Sequence, residues 1–412
     1  MRLAVFTSQF PSRVSTFFAR DMRGLIEAGV ELDIFPLYPL DDALWRYVPS
    51  ILNERVLPRN RVHHVDLSTG FASRGTRTSR RRLLRDVFSV GATALRGGGV
   101  AVAKSVYALL KARSWSETFG GRFDHVLAYW GNYAATSAMV FQRLSDRTIP
   151  VSMFLHAGTD LYRPVSLRSK LLYVDNVIVV CEFNRSFIEG RYPDIRDRIQ
   201  AKIRVHHPGL DFSNTPYSEN GRPSGRLLAV GSLEKAKGFD DLLRAVALLR
   251  QRGLPVDVDL IGDGSQSGAL RRLASSLGIE PAVRFRGWLG SEDVQKAMSA
   301  ATLLVHPSIG LGDAVPTVIK EAMAVGTPVV ASAVAGIPEL LDAGRCGVLV
   351  SPRSPERLAD AVGQLLADEP RRRQLARDGR AFAEKTFDLW QNGRRLAELL
   401  QATRRAAGSP VT

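Results

Sequence analysis

Two carboxylates, Asp313 and Glu321, flank a proline in the stretch GDAVPTVIKEAMAVGTPVVAS, which begins at Gly312. Proline fits the first helical position, so Pro316 predicts a helix that begins there, with Asp313 before it and Glu321 inside it. Carboxylates at these places can accept hydrogen bonds from sugar hydroxyls, while a helix N-terminus attracts phosphates. The pattern suits a nucleotide sugar. A capping role for Asp313 and a solvated Glu321 fit this stretch alone equally well.

A second group of candidates follows a predicted strand in AVGSLEKAKGFDDLLRAV. Gly231 ends the strand and would let a phosphate approach the backbone, and Gly238 opens the next helix. Lys237, together with Lys235, supplies positive charge for a diphosphate. Taken alone, an ordinary strand-to-helix turn with surface lysines explains this stretch better.

A third stretch, LIGDGSQSGALRRL, begins at Leu260 and places Gly262 in another glycine-rich turn. It lacks the third glycine of a dinucleotide fingerprint. Nearby Asp257 and Asp259 have the spacing of a metal-binding pair, but they alternate with apolar residues as strand residues do. The sequence therefore predicts no metal site here.

The elements that must position these residues alternate between short apolar runs and longer stretches of helical period, which is typical of parallel βαβ units. The runs form two series, separated by the turn-rich stretch NTPYSENGRPSG that begins at Asn214. The expected fold class is α/β, with two doubly wound domains at 1–208 and 209–387, and a closing helix at about 388–408 that returns to the first. Ligands bind beyond the carboxyl ends of parallel strands, so we expect the site in a cleft between the domains.

The net charge of +15 is concentrated between Arg74 and Arg113. Apolar residues recur there at helical spacing, which fits an amphipathic helix lying on anionic lipid and fits equally a surface helix with a solvated basic face. No interleaved aromatic residues support nucleic-acid binding. The basic residues that we assign to the membrane or acceptor side are Arg80, Arg81, Arg82 and Arg85.

Hydropathy and cysteine content predict where in the cell the protein is found. The sequence has no run of eighteen apolar residues and no signal-peptide pattern at its start, so we expect a cytoplasmic protein. Cys181 and Cys346 lie in separate apolar segments and are expected to be buried thiols rather than a disulfide.

The motifs GSLEKAKGF, IGDG, VRFRGW, VHPS, DAVPTVIKEAMAVGTPVVAS and AGIPEL occur in the order found in the nucleotide-sugar-binding half of family 4 retaining glycosyltransferases, which have the GT-B fold. CEFNRSFI and VHHPGLD are similar to the passage between the domains of that family. The resemblance covers Val177 to about Leu366 strongly and the first domain loosely.

The resemblance implies roles for individual residues. Glu321 matches the second acid of the paired-glutamate motif of that family and is implied to contact the donor ribose. Asp313 matches the first acid and is implied to hold hydroxyls of the donor sugar, while Lys237 matches the diphosphate lysine. His156 in FLHAGTD resembles the histidine that faces the donor sugar across the cleft. The backbone implied to lie against the phosphates and sugar comprises Val315, Pro316, Thr317 and Val318, and base selection is expected near Arg286.

Three departures from the family pattern stand out. Ser232 replaces an arginine on the diphosphate, and Lys235 is the candidate substitute. Asp313 is a methylene shorter than the usual glutamate. The loop SQFPSRVSTFFARDM lacks the common paired glycines and resembles the version of some polysaccharide-assembly members, including those of the colanic-acid type, with Val14 and Ser15 replacing its Ser-Glu.

The function implied is retaining transfer of a sugar from a nucleoside diphosphate sugar, with a UDP- or GDP-sugar favoured, and without a metal or other cofactor. The resemblance favours exopolysaccharide assembly, and the basic segment predicts a lipid-linked or membrane-adjacent acceptor at the cytoplasmic face. A nucleotide-sugar-binding protein without activity, and a transferase that acts on a soluble secondary metabolite, are the alternatives.

Overall fold

The computed structural model describes residues 1–12, 16–65, 98–145, 148–162, 164–219 and 222–403. The chain divides into two compact units, Met1–Gly209 with Leu389–Thr412, and Leu210–Asp388. The basic candidates Arg80, Arg81, Arg82 and Arg85 lie outside the described residues, as do Val14 and Ser15.

The first unit contains a six-stranded parallel sheet in the spatial order β2-β1-β3-β4-β5-β6. The inner strands of this sheet, such as β1 and β4, are buried on both faces, which explains why they read as continuous apolar runs. The strands are β1 (Arg2–Thr7), β2 (Glu31–Pro36), β3 (His125–Ala128), β4 (Val151–Leu155), β5 (Asn176–Val179) and β6 (Ile203–Val205). The helices are α1 (Thr16–Glu27), α2 (Gly98–Phe119), α3 (Tyr133–Ser145), α4 (Thr159–Tyr162), α5 (Leu167–Tyr173), α6 (Glu182–Arg191), α7 (Arg196–Gln200) and α15 (Leu389–Ala402).

The closing helix α15 packs against α1, as the sequence predicts. The helices cross at two glycines, where a Cβ atom on Gly393 would lie 2.6 Å from the Cα of Gly24. Side chains at the crossing would hold the two backbones apart, so glycine is required for this approach. The apolar residues that the two helices bury together are Met22, Leu25, Leu396, Ala397 and Leu400.

The second unit contains another six-stranded parallel sheet, in the order β12-β11-β10-β7-β8-β9. The strands are β7 (Arg226–Val230), β8 (Asp257–Ile261), β9 (Val283–Gly287), β10 (Leu303–His306), β11 (Val329–Ser332) and β12 (Val348–Val350). The helices are α8 (Phe239–Gln251), α9 (Ser267–Ser276), α10 (Ser291–Ala300), α11 (Thr317–Val325), α12 (Ile337–Leu340), α13 (Pro355–Ala367) and α14 (Glu369–Phe387).

Helix α11 begins one residue later than the sequence predicts. Pro316 occupies the capping position, with φ −60° and ψ 121°, and Thr317 is the first helical residue. The extended ψ of Pro316 takes this residue out of the helix, although its fixed φ still directs the chain into the first turn. The loop that carries Asp313 therefore ends at Pro316.

The far end of α11 is fixed by two arginines. Arg222 donates hydrogen bonds to the carbonyl of Val325 at 2.8 Å and to the carbonyl of Met298 in α10 at 2.8 Å. Arg380 of α14 donates to the carbonyl of Ala324 at 2.5 Å. Cations at a helix C-terminus satisfy its last carbonyls and complement its dipole. The opposite end of α11, which carries the predicted site, is thereby held in place.

Both cysteines are buried free thiols, as expected from the sequence. Within the described parts of the chain, no helix combines the length and the apolar character needed to cross a bilayer.

Candidate functional site

The loops that follow β7, β8 and β10 meet at the carboxyl edge of the second sheet. Gly262, with φ +136°, touches the end of β7 so closely that a Cβ atom would lie 1.9 Å from the carbonyl oxygen of Gly231. Gly238, with φ +65°, meets the β10 loop in the same way, because a Cβ atom would lie 2.1 Å from the carbonyl oxygen of Pro307. These glycines let the loops pack backbone to backbone.

Hydrogen bonds fasten the β7 loop to the β10 loop. The carbonyl of Ala236 accepts from the backbone N–H of Ile309 at 2.9 Å and of Gly310 at 3.1 Å. It also accepts from the hydroxyl of Ser308 at 3.0 Å. Ala236 is the middle residue of the short 3-10 turn Lys235–Lys237. The position of Lys237 is therefore fixed relative to the loop that carries Asp313.

Lys237 and Asp313 form an ion pair between Nζ and Oδ1, at the place where these loops meet. The other oxygen, Oδ2, lies 3.1 Å from Nε2 of His306, the last residue of β10. Burial raises the pKa of the Asp313 carboxyl, but the hydrogen bond and charge of His306 together with Lys237 outweigh it and hold that pKa far below its usual range. Asp313 is an ionised, largely buried carboxylate.

The N-terminus of α11 follows directly, and its capping residue Pro316 makes no side-chain hydrogen bond to it. Its first backbone N–H groups belong to Thr317 and Val318, and such groups form an anion site at a helix N-terminus. Val315 and Val318 are half-buried and pack on the apolar core of the unit. Glu321 lies on the same helix, one turn beyond Thr317, with a half-buried side chain.

The other predicted donor residues differ in their exposure and contacts. Ser232 and Lys235 are exposed. Arg286 on β9 reaches Asp259, with Nη1 3.8 Å from Oδ1, so its side chain is engaged by the sheet.

The two aspartates of β8 are paired with arginines from neighbouring strands. Asp259 accepts from Nε of Arg284 at 2.7 Å and from Nη2 of Arg226 at 3.1 Å. Asp257 lies 3.5 Å from Nη1 of Arg284. Among the residues that the structure describes, no three His, Cys, Asp or Glu side chains are grouped so as to hold a metal ion.

In the first unit, His156 directly follows β4 and is buried among aromatic rings. The ring centroids of Trp130 and Tyr129 lie 4.6 and 4.9 Å from its own, and that of Phe17 lies 5.3 Å away. Burial lowers the pKa of the imidazole to about 4. A backbone hydrogen bond to Tyr129 engages the ring, while Nε2 has no partner within the described residues. The ring is therefore neutral at physiological pH and offers Nε2 as a hydrogen-bond acceptor.

A buried carboxylate stands behind His156. Asp21 of α1 accepts from the hydroxyl of Tyr129 at 2.6 Å and lies 3.3 Å from Nε2 of His206, which follows β6. Burial raises the pKa of Asp21, but the charge and hydrogen bond of His206 and the hydroxyl of Tyr129 outweigh it, so that this pKa is lowered. The network fixes the tyrosine ring on which His156 packs.

A second buried charged pair supports the loops after β3 and β4. Lys170 of α5 donates from Nζ to the carbonyls of Gly131 at 3.0 Å and Asn132 at 2.5 Å. Asp160 accepts backbone hydrogen bonds from Gly131 and His156. Burial raises the pKa of Asp160 to about 6 and lowers that of Lys170 to about 7. Asp160 holds the backbone of His156, and both members of the pair hold the loop after β3 at Gly131.

The sequence reasoning missed His306, Asp21 and the Asp160–Lys170 pair. A signal was present for His306, because a polar residue that ends an apolar strand lies at the ligand-binding edge of a parallel sheet. Asp160 and Lys170 carried no such signal, since neither the alternation nor the charge pattern distinguishes them from surface residues.

Comparison with known proteins places these features in context. Residues 224–368, which include the Lys237–Asp313 pair and Glu321, match the family described as glycosyl transferases group 1. The chain is 33% identical over 226 residues to D-inositol 3-phosphate glycosyltransferase of Corynebacterium urealyticum. The matched region covers 50% of this chain and 52% of that protein. It is 32% identical over 215 residues to the putative colanic acid biosynthesis glycosyltransferase WcaL of Escherichia coli, 49% of this chain and 52% of that one. The chain spans about half the length of the curated relatives it matches.

Solved structures match over nearly the whole chain. HepE of Anabaena in complex with UDP-glucose superposes with a TM-score of 0.69 at 18% identity, over 98% of this chain and 100% of that one. Sucrose-phosphate synthase of Thermosynechococcus elongatus superposes with a TM-score of 0.70 at 19% identity, over 97% and 98%. The chain has the GT-B fold. In the GT-B chain described here, the paired lysine and aspartate lie at the carboxyl edge of the second Rossmann-like sheet.

Proposed function

We propose that this protein is a retaining glycosyltransferase of the family 4 type, which transfers a sugar from a UDP- or GDP-sugar to an acceptor hydroxyl. The observation that carries the proposal is the meeting of Lys237 and Asp313 beside the uncapped N-terminus of α11. A cation, a carboxylate and free helix N–H groups are the groups that a diphosphate and a sugar hydroxyl require. The family match of residues 224–368 supports the same assignment.

The donor binds along the β7 loop and α11. Lys237 and the backbone N–H groups of Thr317 and Val318 take the diphosphate, Asp313 accepts from the sugar, and Glu321 accepts from the ribose. Gly231 and Gly262 keep the floor of this site free of side chains, and the UDP-glucose complex of HepE supports a nucleotide sugar on this fold.

Transfer requires stabilisation of the charge that develops on the leaving diphosphate. Lys237 and the α11 N-terminus supply positive charge for this without a metal. The anomeric carbon keeps its configuration because the acceptor attacks from the side of the departing phosphate, whose oxygen takes the acceptor proton. The neutral His156, with Nε2 able to accept, orients a hydroxyl of the donor sugar.

The acceptor is proposed to be lipid-linked or membrane-adjacent, in polysaccharide or glycolipid assembly at the cytoplasmic membrane face. The similarity to WcaL and the arginine-rich segment around Arg80–Arg85 support this context. Flotation with liposomes tests it: the protein should float with vesicles that contain phosphatidylglycerol and stay behind with pure phosphatidylcholine. Absence of flotation from both favours a soluble acceptor, such as the one named for the D-inositol 3-phosphate relatives, and equal flotation with both contradicts a role for the arginine-rich segment.

A second candidate is a protein that binds nucleotide sugars without transferring them. The exposed Ser232 favours this candidate, because it replaces the arginine by which the family 4 transferases are implied to hold the diphosphate. Release of nucleoside diphosphate from UDP- and GDP-sugars, with membrane extract as acceptor, separates the two candidates. A transferase releases the diphosphate and moves the sugar to a product, in which the anomeric configuration is the same as in the donor. Tight binding without release supports the second candidate.

A further inference from the structure

Asp313 is held at both of its oxygens. Lys237 is ion-paired with Oδ1, and Nε2 of His306 lies 3.1 Å from Oδ2. Because a carboxylate only accepts hydrogen bonds, the nitrogen of His306 that faces it carries a proton. The side chains of Asp313 and His306 are 11% and 4% exposed, so water replaces neither contact easily.

This pairing conflicts with the roles that a donor requires. A diphosphate needs the charge of Lys237, and a sugar hydroxyl needs an oxygen of Asp313. In the structure these two groups satisfy each other. A donor must therefore take Lys237 away from Asp313, and a buried carboxylate that loses its cation is strongly disfavoured unless another group holds it.

We propose that donor binding exchanges the partners of Lys237 and Asp313, and that His306 is the positioning residue that makes the exchange possible. The diphosphate takes Lys237, and His306 keeps Oδ2 so that Oδ1 is left to accept a hydroxyl of the donor sugar. This inference rests on the proposed donor site.

The two partners of Asp313 differ in their freedom to move. His306 is the last residue of β10, is paired in the sheet with Ala331, and is followed by a loop fixed to the carbonyl of Ala236. Lys237 ends a short turn, its side chain is 24% exposed, and its ammonium stands on a flexible four-carbon stem. Lys237 can turn to a diphosphate while His306 stays in place.

The exchange limits what Asp313 can recognise. With Oδ2 retained by His306, only Oδ1 faces the sugar, and the short aspartate side chain cannot reach around the ring. The donor is therefore recognised at this position through a single hydroxyl. A donor analogue that lacks that hydroxyl should bind about as tightly as the free nucleoside diphosphate.

Isothermal titration with UDP, UDP-glucose, GDP and GDP-mannose tests the exchange on the full chain. Asp313→Asn should bind the free diphosphate about tenfold more tightly than wild type, because Lys237 then has no ion pair to break before it binds the diphosphate. The same variant should bind the sugar nucleotide no more tightly than the free diphosphate. His306→Leu should also lose the preference for the sugar nucleotide, and His306→Gln, which keeps a donor, should retain part of it. Asp360→Asn, on an exposed pair with Arg252, is the matched control.

The outcomes separate this inference from the function on which it rests. If wild type binds a diphosphate but Asp313→Asn binds it no more tightly, the proposed exchange is wrong. The proposed donor site is then still supported, because wild type binds the diphosphate. If His306→Gln and a folded His306→Leu both prefer the sugar nucleotide as strongly as wild type, His306 has no positioning role. If wild type binds neither UDP nor GDP nor their sugars, the donor site is wrong and the exchange is wrong with it.

Discussion

Lys237 and Asp313 are 76 residues apart in the chain and form an ion pair where the β7 and β10 loops meet. Their contact follows from the strand order, because β10 lies directly beside β7 in the sheet. It joins the proposed diphosphate group and the proposed sugar group in one ion pair, which a donor must open.

The charge of Lys237 should act mainly on the transition state. Replacing Lys237 with Ala should lower turnover about a hundredfold, since one preorganised group that stabilises the leaving phosphate is lost. Initial rates of diphosphate release measure the effect. Lys385→Ala, on an exposed position of α14, is the control and should retain the wild-type rate. Equal rates for Lys237→Ala and wild type would remove Lys237 from the site.

His156 should affect turnover without affecting the affinity for the free nucleotide. His156→Ala should lower kcat about tenfold, the cost of one hydrogen bond to the sugar, and change the affinity for free diphosphate less than twofold. Because the pKa of His156 is lowered to about 4, its ring charges only as pH falls through about 4, and the loss should be the same at pH 6 and pH 8. A loss confined to one of these pH values would contradict a neutral His156.

The Asp160–Lys170 pair predicts a pH-dependent stability. The pKa of Lys170 is lowered to about 7 in the folded protein, so its contribution to stability is present above the unfolded value of 10.5 and is lost as pH falls through about 7. The pKa of Asp160 is raised to about 6, so its contribution is present below 3.8 and is lost as pH rises through about 6. Near pH 6 to 7 neither contribution is present. The attraction between the charges of Asp160 and Lys170 then offsets the cost of burying them.

Breaking this pair should therefore be costly at neutral pH. Asp160→Asn should lower the free energy of unfolding by about 3 kcal/mol at pH 7, because the pKa of Lys170 falls further without the carboxylate and folding must then remove its proton. The deficit should shrink at pH 9, where Lys170 can be neutral. The double variant Asp160→Asn/Lys170→Met should be less destabilised and should lose the pH dependence. Urea unfolding at both pH values measures all three. Asp160→Asn with wild-type stability at pH 7 would show that the pair is not buried together.

Gly262 should be essential for the donor loops. Gly262→Ala places a Cβ atom 1.9 Å from the carbonyl oxygen of Gly231, and only a shift of one loop relieves the overlap. We expect at least a tenfold loss of nucleotide affinity. Gly268→Ala in α9 is the control, because its Cβ meets nothing nearer than 3.5 Å and alanine favours the helix. Unchanged affinity in Gly262→Ala would mean that the two loops are not packed as described.

Much of this fold was predictable from periodicity, because buried parallel strands read as apolar runs between helical stretches. The positions of Asp313 before α11 and of Glu321 within it were predictable from Pro316, although the helix begins at Thr317. Partners across the sheet were not predictable. The contact of Lys237 with Asp313 and the arginines around Asp259 depend on which strands are neighbours, and the sequence gives no strand order. The position of His306 at the end of an apolar strand indicated the ligand-binding edge, but its contact with Asp313 was not predictable.

We propose that the second unit binds a nucleoside diphosphate sugar through Glu321 and the Lys237–Asp313 site. The most direct test of this proposal is a thermal-shift panel of UDP, GDP, dTDP and ADP with matching sugar nucleotides, on wild type, Glu321→Ala and Glu280→Ala. Glu280 is exposed and precedes β9, at the opposite edge of the sheet. We expect one nucleotide family to raise the Tm of wild type and of Glu280→Ala but not of Glu321→Ala. No shift with any of these nucleotides, or an equal shift in Glu321→Ala, would contradict it.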